Sequence, residues 1–251
     1  MSISPLLSII TVSAFDEKRL LKTIKSIGSI PMDVEHVVVV PKNDYNSMEM
    51  MNDFLNSHQI NSKLVHDNNS GVYEAMNIGV SQASGEYVCF WNAGDELMSM
   101  TALLRLSSFI RESSLEWYIV QCNFGWRNSQ ILTLKEVENF ALQKYSAFIS
   151  HQSVIVQRNL FIKMGGFNIK YKVAADTDQI TKLFINYNPV FFHDFVVGVE
   201  IPNFASKYHR RARIEVLFIA LRNLRGRQRL IALKNIFISE ALLLKNKFGK
   251  S

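Results

Sequence analysis

The sequence predicts an α/β protein with a mostly parallel, Rossmann-like central sheet flanked by helices. Short apolar runs rich in β-branched residues alternate with segments whose apolar residues recur at helical spacing. The run His36–Val40 has four consecutive valines, which is typical of a strand buried on both faces. This alternation is the pattern of βαβ units, and 251 residues are sufficient for a sizeable core.

The elements follow in order along the chain. Strands are predicted over 6–13, 36–40, 63–66, 86–91 and 117–122, with helices over 19–27, 48–55, 71–82 and 101–110 between them. The second half is less regular, with a hairpin over 123–134, strands over 153–157, 190–192 and 196–200, and helical segments over 159–164, 176–184 and beyond 210.

Composition excludes several classes of protein. Cys89 and Cys122 lie in apolar contexts and are predicted to be buried free thiols, which favours a reducing compartment. The first ten residues lack the basic region of a signal peptide, and no apolar run is long enough to span a membrane, so a cytoplasmic location is expected. Standard dinucleotide enzymes and P-loop nucleotidases are disfavoured, since no GxGxxG or GxxxxGK[ST] motif follows a strand.

The C-terminal segment 207–251 is strongly basic. It contains 12 Lys/Arg and 2 Asp/Glu, a net charge of +10 in a chain whose total is +6. Apolar residues recur near one face, at Leu230, Leu233, Phe237, Ala241 and Leu244. A basic amphipathic helix is typical of contact with an anionic membrane, here at the inner face of the cytoplasmic membrane. The alternative is packing on the core with Arg outward; nucleic-acid binding is disfavoured, because few aromatics stand among the basic residues.

Polar residues end three predicted strands. They are Thr11–Ser13, His66–Gly71 and Asn92–Glu96, and ligands of parallel sheets bind beyond such carboxyl ends. Asp95 and Glu96 offer hard oxygen ligands for Mg²⁺ or Mn²⁺. The alternative is a strand-to-helix turn, with Asp95 or Ser99 capping the next helix.

Three polar residues in the second half also invite two interpretations. Asp176 and Asp178 stand at a predicted helix start, where they act either as cap and dipole partners or as a general base with a supporting group. His151, next to Gln152, is either a hydrogen-bonded structural group or a catalytic one.

Three blocks resemble the family 2 glycosyltransferases, which have the GT-A fold. LSIITVSAFDEKRLLKTIKSI is similar to that family's opening strand and helix. SGVYEAMNIGVSQASGEYVCFWNAGDEL resembles a bacterial branch that reads close to GIYDAMNKGI and then GEYIxFLNSGD. SHQSVIVQRNLFIKMGGFNIKYKVAADTDQITKLF is similar to that branch's HQ, GGFD and AADYD segment. The blocks stand in the family's order between residue 6 and about 185.

The resemblance implies inverting transfer of a sugar from a nucleotide-sugar donor to an acceptor hydroxyl. UDP is the default nucleotide, Mn²⁺ or Mg²⁺ sits on the diphosphate, and the acceptor is a glycan or a lipid-linked sugar in bacterial surface polysaccharide synthesis, as for O-antigen or capsule. It also implies a GT-A domain over 1–206, with a nucleotide-sugar-binding half (1–122) and an acceptor-side half (123–206), followed by the basic tail 207–251.

The resemblance also assigns roles to individual residues. The donor-binding residues would be Thr11, Val12, Ser13 and Phe15 around the base, Asp67, Gly71, Met76 and Asn77 along the nucleoside, and Asn92, Ala93, Gly94 and Asp95 at the diphosphate, with Asp95 as metal ligand. Asp176 would be the catalytic base, and His151, Gln152 and Asp178 would lie on the acceptor side.

The sequence departs from the family pattern at the donor site. Asn92 and Gly94 replace two aspartates of a DSDD-like motif, and Asn69 stands where the branch often has Asp. The usual DGGSTD after the second strand is replaced by VPKNDY, so that its carboxylate is absent or displaced to Asp44. A non-catalytic protein that binds sugar nucleotides or glycans is therefore the alternative, although the retained Asp176 favours an enzyme.

Overall fold

A computed structural model describes residues 4–28, 33–57, 61–123, 149–200 and 209–234. The α/β fold with a mostly parallel sheet is confirmed. Beyond Asn123, the hairpin predicted over 123–134 lies outside the described residues, as do the predicted boundary at 206 and the tail after residue 234.

The described elements alternate through the first half of the chain. The strands are β1 (Leu7–Val12), β2 (Val34–Pro41), β3 (Ser62–Asp67), β4 (Tyr87–Asn92), β5 (Glu96–Leu97), β6 (Trp117–Asn123), β7 (Val154–Gln157) and β8 (Val190–Gly198). The helices are α1 (Glu17–Ile27), α2 (Tyr45–Ser57), α3 (Val72–Gln82), α4 (Met100–Ser113), α5 (Arg158–Lys163), α6 (Ala175–Asn186) and α7 (His209–Asn223), with a 3₁₀ turn at His151–Ser153 and further helix over 226–234.

The strands form one sheet in the order β3-β2-β1-β4-β7-β6-β8-β5. The first four are parallel, β7 is antiparallel to both β4 and β6, and β6 is parallel to β8. The register places Val12 beside Asn92 and Pro41 beside Asp67. The polar ends of β1, β3 and β4 therefore meet at one edge of the sheet, as the sequence predicted.

Buried side chains cover both faces of the sheet. Ile9 and Ile10 are both fully buried, although neighbouring strand residues point to opposite faces. Ile10 packs in a cluster with α3 and α6, whereas Ile9 packs in a cluster with α4. The valines of β2 are fully buried in the same way. This two-sided burial explains why the strand sequences are continuously apolar.

The predicted strands over 190–192 and 196–200 are wrong as separate elements, since they form the single strand β8. His193 and Asp194 interrupt the apolar pattern, but Asp194 forms an ion pair with Arg105 of α4 at 3.1 Å. The pairing of β8 with β6 shifts register on both sides of Gln121. At such bulges a strand continues although polar residues interrupt its apolar pattern, and from the sequence this interruption resembles the end of a strand.

The first helix of the basic tail packs on the core. Ala220, Leu224 and Ala232 form a buried cluster against Ile185 of α6. The Glu215 carboxylate accepts three backbone N–H groups from residues 172–174, just before α6. Helix α7 therefore follows the core-packing alternative. None of the helices in the described ranges is long and apolar enough to cross a membrane.

Candidate active site

A cleft of about 430 Å³ lies at the carboxyl edge of the parallel strands. Its walls include Val12 and Ser13 after β1, Asp67 and Gly71 after β3, and the turn after β4. A volume of this size is typical of small-molecule and cofactor sites. The position agrees with the rule that α/β proteins bind ligands beyond the carboxyl ends of their strands.

The turn after β4, residues 92–95, is held by hydrogen bonds on both sides. The Asp95 N–H donates to the Asn92 carbonyl at 3.0 Å, and the Asn92 N–H donates back to Asp95 Oδ2 at 2.7 Å. Gly94 has φ +101°, a backbone conformation that glycine adopts without strain. Its N–H donates to the Thr23 hydroxyl of α1 at 2.8 Å. The turn is therefore fixed against the first helix.

Asp95 is buried inside this turn. Its side chain also accepts the Gln152 amide at 3.0 Å and the Glu200 N–H at 3.0 Å, and the residue is only 2% exposed. Burial raises the pKa of Asp95, and the hydrogen bonds oppose that rise. Asp95 does not cap α4, because Ser99 does so by accepting the Ala102 N–H. Both Asp95 oxygens thus serve the protein itself, and metal ligation by Asp95 stays a prediction.

Asp176 lies in the first turn of α6, with side-chain partners from α3 and from the 3₁₀ turn. Its Oδ1 accepts the Thr177 N–H at 2.8 Å and lies 3.0 Å from the Tyr73 hydroxyl. Its Oδ2 lies 3.2 Å from His151 Nδ1. The side chain is 20% exposed, so that one edge of the carboxylate remains open. Burial and the Asp176 charge raise the pKa of Tyr73, which keeps its hydroxyl protonated as a donor.

His151 connects Asp176 to the turn after β4. Its Nε2 lies 3.3 Å from Asn92 Nδ2. Because an amide nitrogen can only donate, Nε2 is the acceptor and the ring proton resides on Nδ1, which donates to Asp176. The second and third of the three family-like blocks therefore meet in one hydrogen-bonded chain from Asn92 through His151 to Asp176.

Asp178 lies away from the cleft, although it is only two residues from Asp176. It is 1% exposed; one oxygen accepts the Asn223 amide at 2.9 Å, and the other pairs with Lys182 at 2.6 Å. Residues two apart on a helix point in very different directions. Asp178 therefore joins α6 to α7, and the structure does not bring it to the acceptor side.

Five predicted donor residues are not among those that line the cleft, namely Thr11, Phe15, Met76, Asn77 and Gly94. Thr11 and Met76 are fully buried, and the Thr11 hydroxyl pairs with His36 Nε2 at 2.9 Å. The Asn77 amide binds the Phe167 backbone through both its oxygen and its nitrogen, each at 2.9 Å. Phe15 is 53% exposed. Within this set, the motif residues Thr11, Met76 and Asn77 hold strands and turns together.

Asp44 is also structural. Its Oδ2 accepts the Phe15 N–H at 2.6 Å, and its Oδ1 accepts the Ser47 N–H at the start of α2. The residue is 3% exposed. Its carboxylate holds the loop after β1, in which Phe15 has φ +56°, against α2. It does not line the cleft as a displaced ligand for the base would.

Asp67 has an unused oxygen at the cleft. The residue is 4% exposed, and its Oδ2 accepts the N–H of Asn69, which also lines the cleft. Within the described ranges no donor contacts Asp67 Oδ1, which is fully buried. A buried carboxylate oxygen without a donor is costly, so this oxygen indicates a ligand that supplies one.

Sequence reasoning missed several charged residues of the cleft. They are Asp16 and Arg19 around the start of α1, Lys172 before α6, and Glu200 after β8. Asp16 and Arg19 lie within the first family-like block but were given no role there, whereas Lys172 and Glu200 reach the cleft through tertiary packing. With Asp67 and Asp95, the described part of the cleft has four carboxylates and two cations, which is an excess of negative charge on a wall that would face a diphosphate.

The residues of the cleft fit a divalent cation that is shared with phosphate. In the part of the chain that the structure describes, no three His, Cys, Asp or Glu side chains form a metal cage. Mg²⁺ and Mn²⁺ need only one or two protein carboxylates when phosphate oxygens and water complete their shell. The carboxylates that line the cleft can supply one or two such ligands.

The parallel sheet, the cleft at its carboxyl edge and the neighbouring carboxylate define an α/β protein of the GT-A class. Residues 8–170 match the family model described as "Glycosyl transferase family 2". The chain therefore belongs to family 2 of the glycosyltransferases. The matched residues 29–32, 58–60 and 124–148 lie outside the described ranges.

The chain is similar to mycobacterial glycosyltransferases. It is 33% identical over 132 residues to a PGL/p-HBAD biosynthesis glycosyltransferase of Mycobacterium bovis (strain BCG / Pasteur 1173P2), covering 49% of this chain and 48% of that protein. The match thus spans about half the length of that relative. An uncharacterized glycosyltransferase of Mycobacterium tuberculosis (strain CDC 1551 / Oshkosh) is 24% identical over 199 residues, covering 76% and 73%.

Solved structures share the fold at low identity. The mannosyltransferase PcManGT from Pyrobaculum calidifontis, in complex with GDP-Man and Mn²⁺, superimposes with a TM-score of 0.69 at 17% identity, covering 96% of this chain and 70% of that one. S. aureus TarS 1–349 in complex with UDP gives 0.66 at 18% identity, covering 88% and 67%.

Proposed function

We propose that the chain is an inverting glycosyltransferase that moves a sugar from a nucleotide-sugar donor to an acceptor hydroxyl. The observation that carries this proposal is the hydrogen-bonded chain from Asn92 through His151 to Asp176 beside the cleft. Through His151 it links a partly exposed carboxylate to Asn92 at the end of β4, which supports a role for Asp176 in the reaction. Asn92, which was predicted on the donor side, and His151 and Asp176, which were predicted on the acceptor side and as the base, thus belong to one hydrogen-bond network.

The reaction is a single displacement. The acceptor oxygen forms a bond to the anomeric carbon as the bond from that carbon to the diphosphate oxygen breaks, and the electron pair leaves with the diphosphate. Asp176 takes the proton of the attacking hydroxyl. His151 and Tyr73 hold the carboxylate in orientation. Attack opposite the leaving group inverts the configuration, and no covalent enzyme intermediate is needed.

The nucleoside would lie along the ends of β1 and β3. Asp67 Oδ1 needs a donor, and a base N–H or a ribose O–H would supply it. UDP is the default nucleotide. The excess of carboxylates in the cleft is the argument for Mn²⁺ or Mg²⁺, held near Asn92 and Asp95. When bound, such an ion neutralises the charge that develops on the departing diphosphate.

The acceptor is proposed to be a glycan or a lipid-linked sugar of a bacterial surface polysaccharide or glycolipid. The exposed face of α7 supports a membrane-proximal acceptor. Ile214, Phe218 and Leu221 recur on one side of this helix and are 48%, 59% and 41% exposed, with Arg210 and Arg211 beside them. An apolar stripe flanked by arginines suits an anionic lipid surface. We therefore propose peripheral contact with such a membrane.

A screen of nucleotide sugars by thermal unfolding, with and without Mn²⁺, tests donor binding. A ligand that binds only the folded chain raises the melting temperature. Product formation from the best donor and a panel of glycan acceptors then separates the two candidate functions. An enzyme turns over, whereas a non-catalytic sugar-nucleotide-binding protein shows the thermal shift without product. If no nucleotide sugar shifts the transition, the proposed function is wrong.

A further inference from the structure

The side chain of Glu200 occupies the space above Gly94. A Cβ atom built on Gly94 with ordinary geometry would overlap Glu200 Oε2 and lie 2.9 Å from Arg19 Nε. The turn after β4 therefore lacks a side chain at its third position, and a carboxylate from a distant part of the chain fills that place. Glu200 stands 106 positions after Gly94 in the sequence, so no motif spacing relates the two residues.

Two contacts fix Glu200 there, one with the turn and one with α1. Its N–H donates to Asp95 Oδ1 at 3.0 Å, which ties the backbone after β8 to the turn. Its Oε2 accepts the Arg19 guanidinium at 2.7 Å. Within the described ranges no donor reaches the other oxygen, Oε1, and the side chain remains 31% exposed at the cleft. Glu200 thus presents a positioned carboxylate edge, whereas both oxygens of Asp95 are engaged.

The charges of the cleft favour a cation at this carboxylate. Among the described residues that line the cleft, Arg19 and Lys172 are the cations beside four carboxylates, and Arg19 is already paired with Glu200. A diphosphate that enters such a cleft adds further negative charge. The unpaired Asp67 Oδ1 in the same cleft independently indicates that a ligand belongs there.

We propose that Glu200 supplies the carboxylate ligand for the donor's divalent cation, in the place that a side chain at position 94 would otherwise fill. Asp95 then acts as the residue that positions Glu200. This inference rests on the proposed function, because it assumes that a nucleoside diphosphate and its cation occupy the cleft. It assigns the ligand to a residue outside the β4 turn.

Mn²⁺ binding to the full chain tests the assignment, measured by electron paramagnetic resonance with UDP or GDP present. Glu200→Gln retains an oxygen for Arg19 but removes the charge, and should weaken Mn²⁺ binding at least about tenfold. Arg19→Gln frees the carboxylate and should leave Mn²⁺ affinity equal or higher. Glu96→Gln, in an exposed pair with Lys22, is the control for loss of a nearby charge.

The outcomes separate the inference from the function. Unchanged Mn²⁺ affinity in Glu200→Gln overturns the inference, and so does an equal loss in Arg19→Gln, which would mean that Glu200 acts only by holding Arg19. Nucleotide binding by the wild type without any Mn²⁺ uptake overturns the inference and leaves the function standing. Binding of neither nucleotide nor Mn²⁺ removes both. If Glu200→Gln does not fold, Glu200→Asp replaces it, and Mn²⁺ affinity equal to wild type would count against the ligand role.

Discussion

Asp95 and Asp176 are the two aspartates that the motifs single out, and the protein surrounds them differently. Asp95 is 2% exposed and accepts hydrogen bonds from Asn92, Gln152 and Glu200. Asp176 keeps a side chain that is 20% exposed, beside a histidine and a tyrosine. Both carboxylates have three hydrogen-bond partners, since Asp176 also accepts the Thr177 N–H. The two residues differ in burial, because Asp95 is almost completely enclosed whereas Asp176 has an open edge.

This difference shows that a motif carboxylate can serve the scaffold or the chemistry. Three N–H donors stabilise Asp95 as an anion and fix the turn after β4, but they leave it little capacity for a ligand. Asp176 is held by the Thr177 N–H, Tyr73 and His151, but its exposed edge can still meet a substrate hydroxyl. Replacement by Asn should therefore mainly lower the stability of the fold at Asp95 and mainly lower turnover at Asp176.

The largest effect is expected for Asp176→Asn. Loss of the general base should lower kcat by roughly 10²–10⁴-fold, while donor affinity stays near the wild-type value. Product formation measures the change in kcat, and isothermal titration calorimetry with the donor measures its affinity. The matched control is Asp178→Asn, which breaks contacts with Asn223 and Lys182 and should lower stability more than turnover. Full activity in Asp176→Asn would rule out Asp176 as the base.

Asp95→Asn should mainly destabilise the fold. Donors contact both oxygens, so the new NH₂ group must face one of them and the charge-assisted hydrogen bonds are lost. The free energy of unfolding should fall by about 2–3 kcal/mol in chemical denaturation. Glu96→Gln, next in sequence but in an exposed pair, should change it by less than about 1 kcal/mol. Equal stability of the two variants would contradict the scaffold role of Asp95.

Glu215→Gln tests the hydrogen bonds that attach α7 to the segment just before Asp176. Burial alone would raise the pKa of Glu215, but hydrogen bonds from the Lys172 backbone and the Arg211 side chain outweigh it, and the pKa lies below its usual value of 4.5. A lowered folded-state pKa stabilises the protein above the unfolded-state value and loses that contribution as pH falls through the folded-state value.

The variant should therefore be about 1–2 kcal/mol less stable than wild type at pH 7, with a gap that narrows below about pH 4.5. Urea denaturation across this pH range measures the gap. Asp176 lies just after the loop that Glu215 holds, so turnover should also fall in the variant. A gap that stays constant with pH would argue against a depressed pKa at Glu215.

The smallest effect on folding is expected on the exposed face of α7. Replacing Ile214, Phe218 and Leu221 by Gln should reduce flotation with anionic vesicles several-fold, while unfolding changes by less than about 0.5 kcal/mol. Leu104→Gln, at a comparably exposed leucine of α4, is the control and should float like wild type. Wild-type protein that fails to float, or a triple variant that floats equally well, would contradict the membrane proposal.

Truncation after residue 206 would be a poor test of the same proposal. It removes Glu215 and Asn223 together with the apolar face, and both residues contact the segment around Asp176. The sequence indicated a separable tail because its charge differs from that of the body. The packing of α7 on α6 means that substitutions on its exposed face are needed to separate membrane contact from folding.

The sequence by itself determined the sheet, its parallel half and the residues that form the chain from Asn92 to Asp176. These features have local signals, since buried strands are continuously apolar and helices repeat every 3.6 residues. Strand ends of a parallel sheet must also meet at one edge. It also indicated Asp67 and Gly71, which line the cleft.

Only the tertiary structure decided which predicted residues turn inward and which distant ones join the site. The sequence predicted donor or acceptor roles for Thr11, Asn77 and Asp178. In the structure, each of these side chains forms a hydrogen bond with a residue far along the chain. Glu200 lies in no motif and reaches the cleft because the backbone after β8 is bound to Asp95. Hydrogen-bond saturation and burial depend on residues brought together by folding, and a local pattern cannot specify those partners.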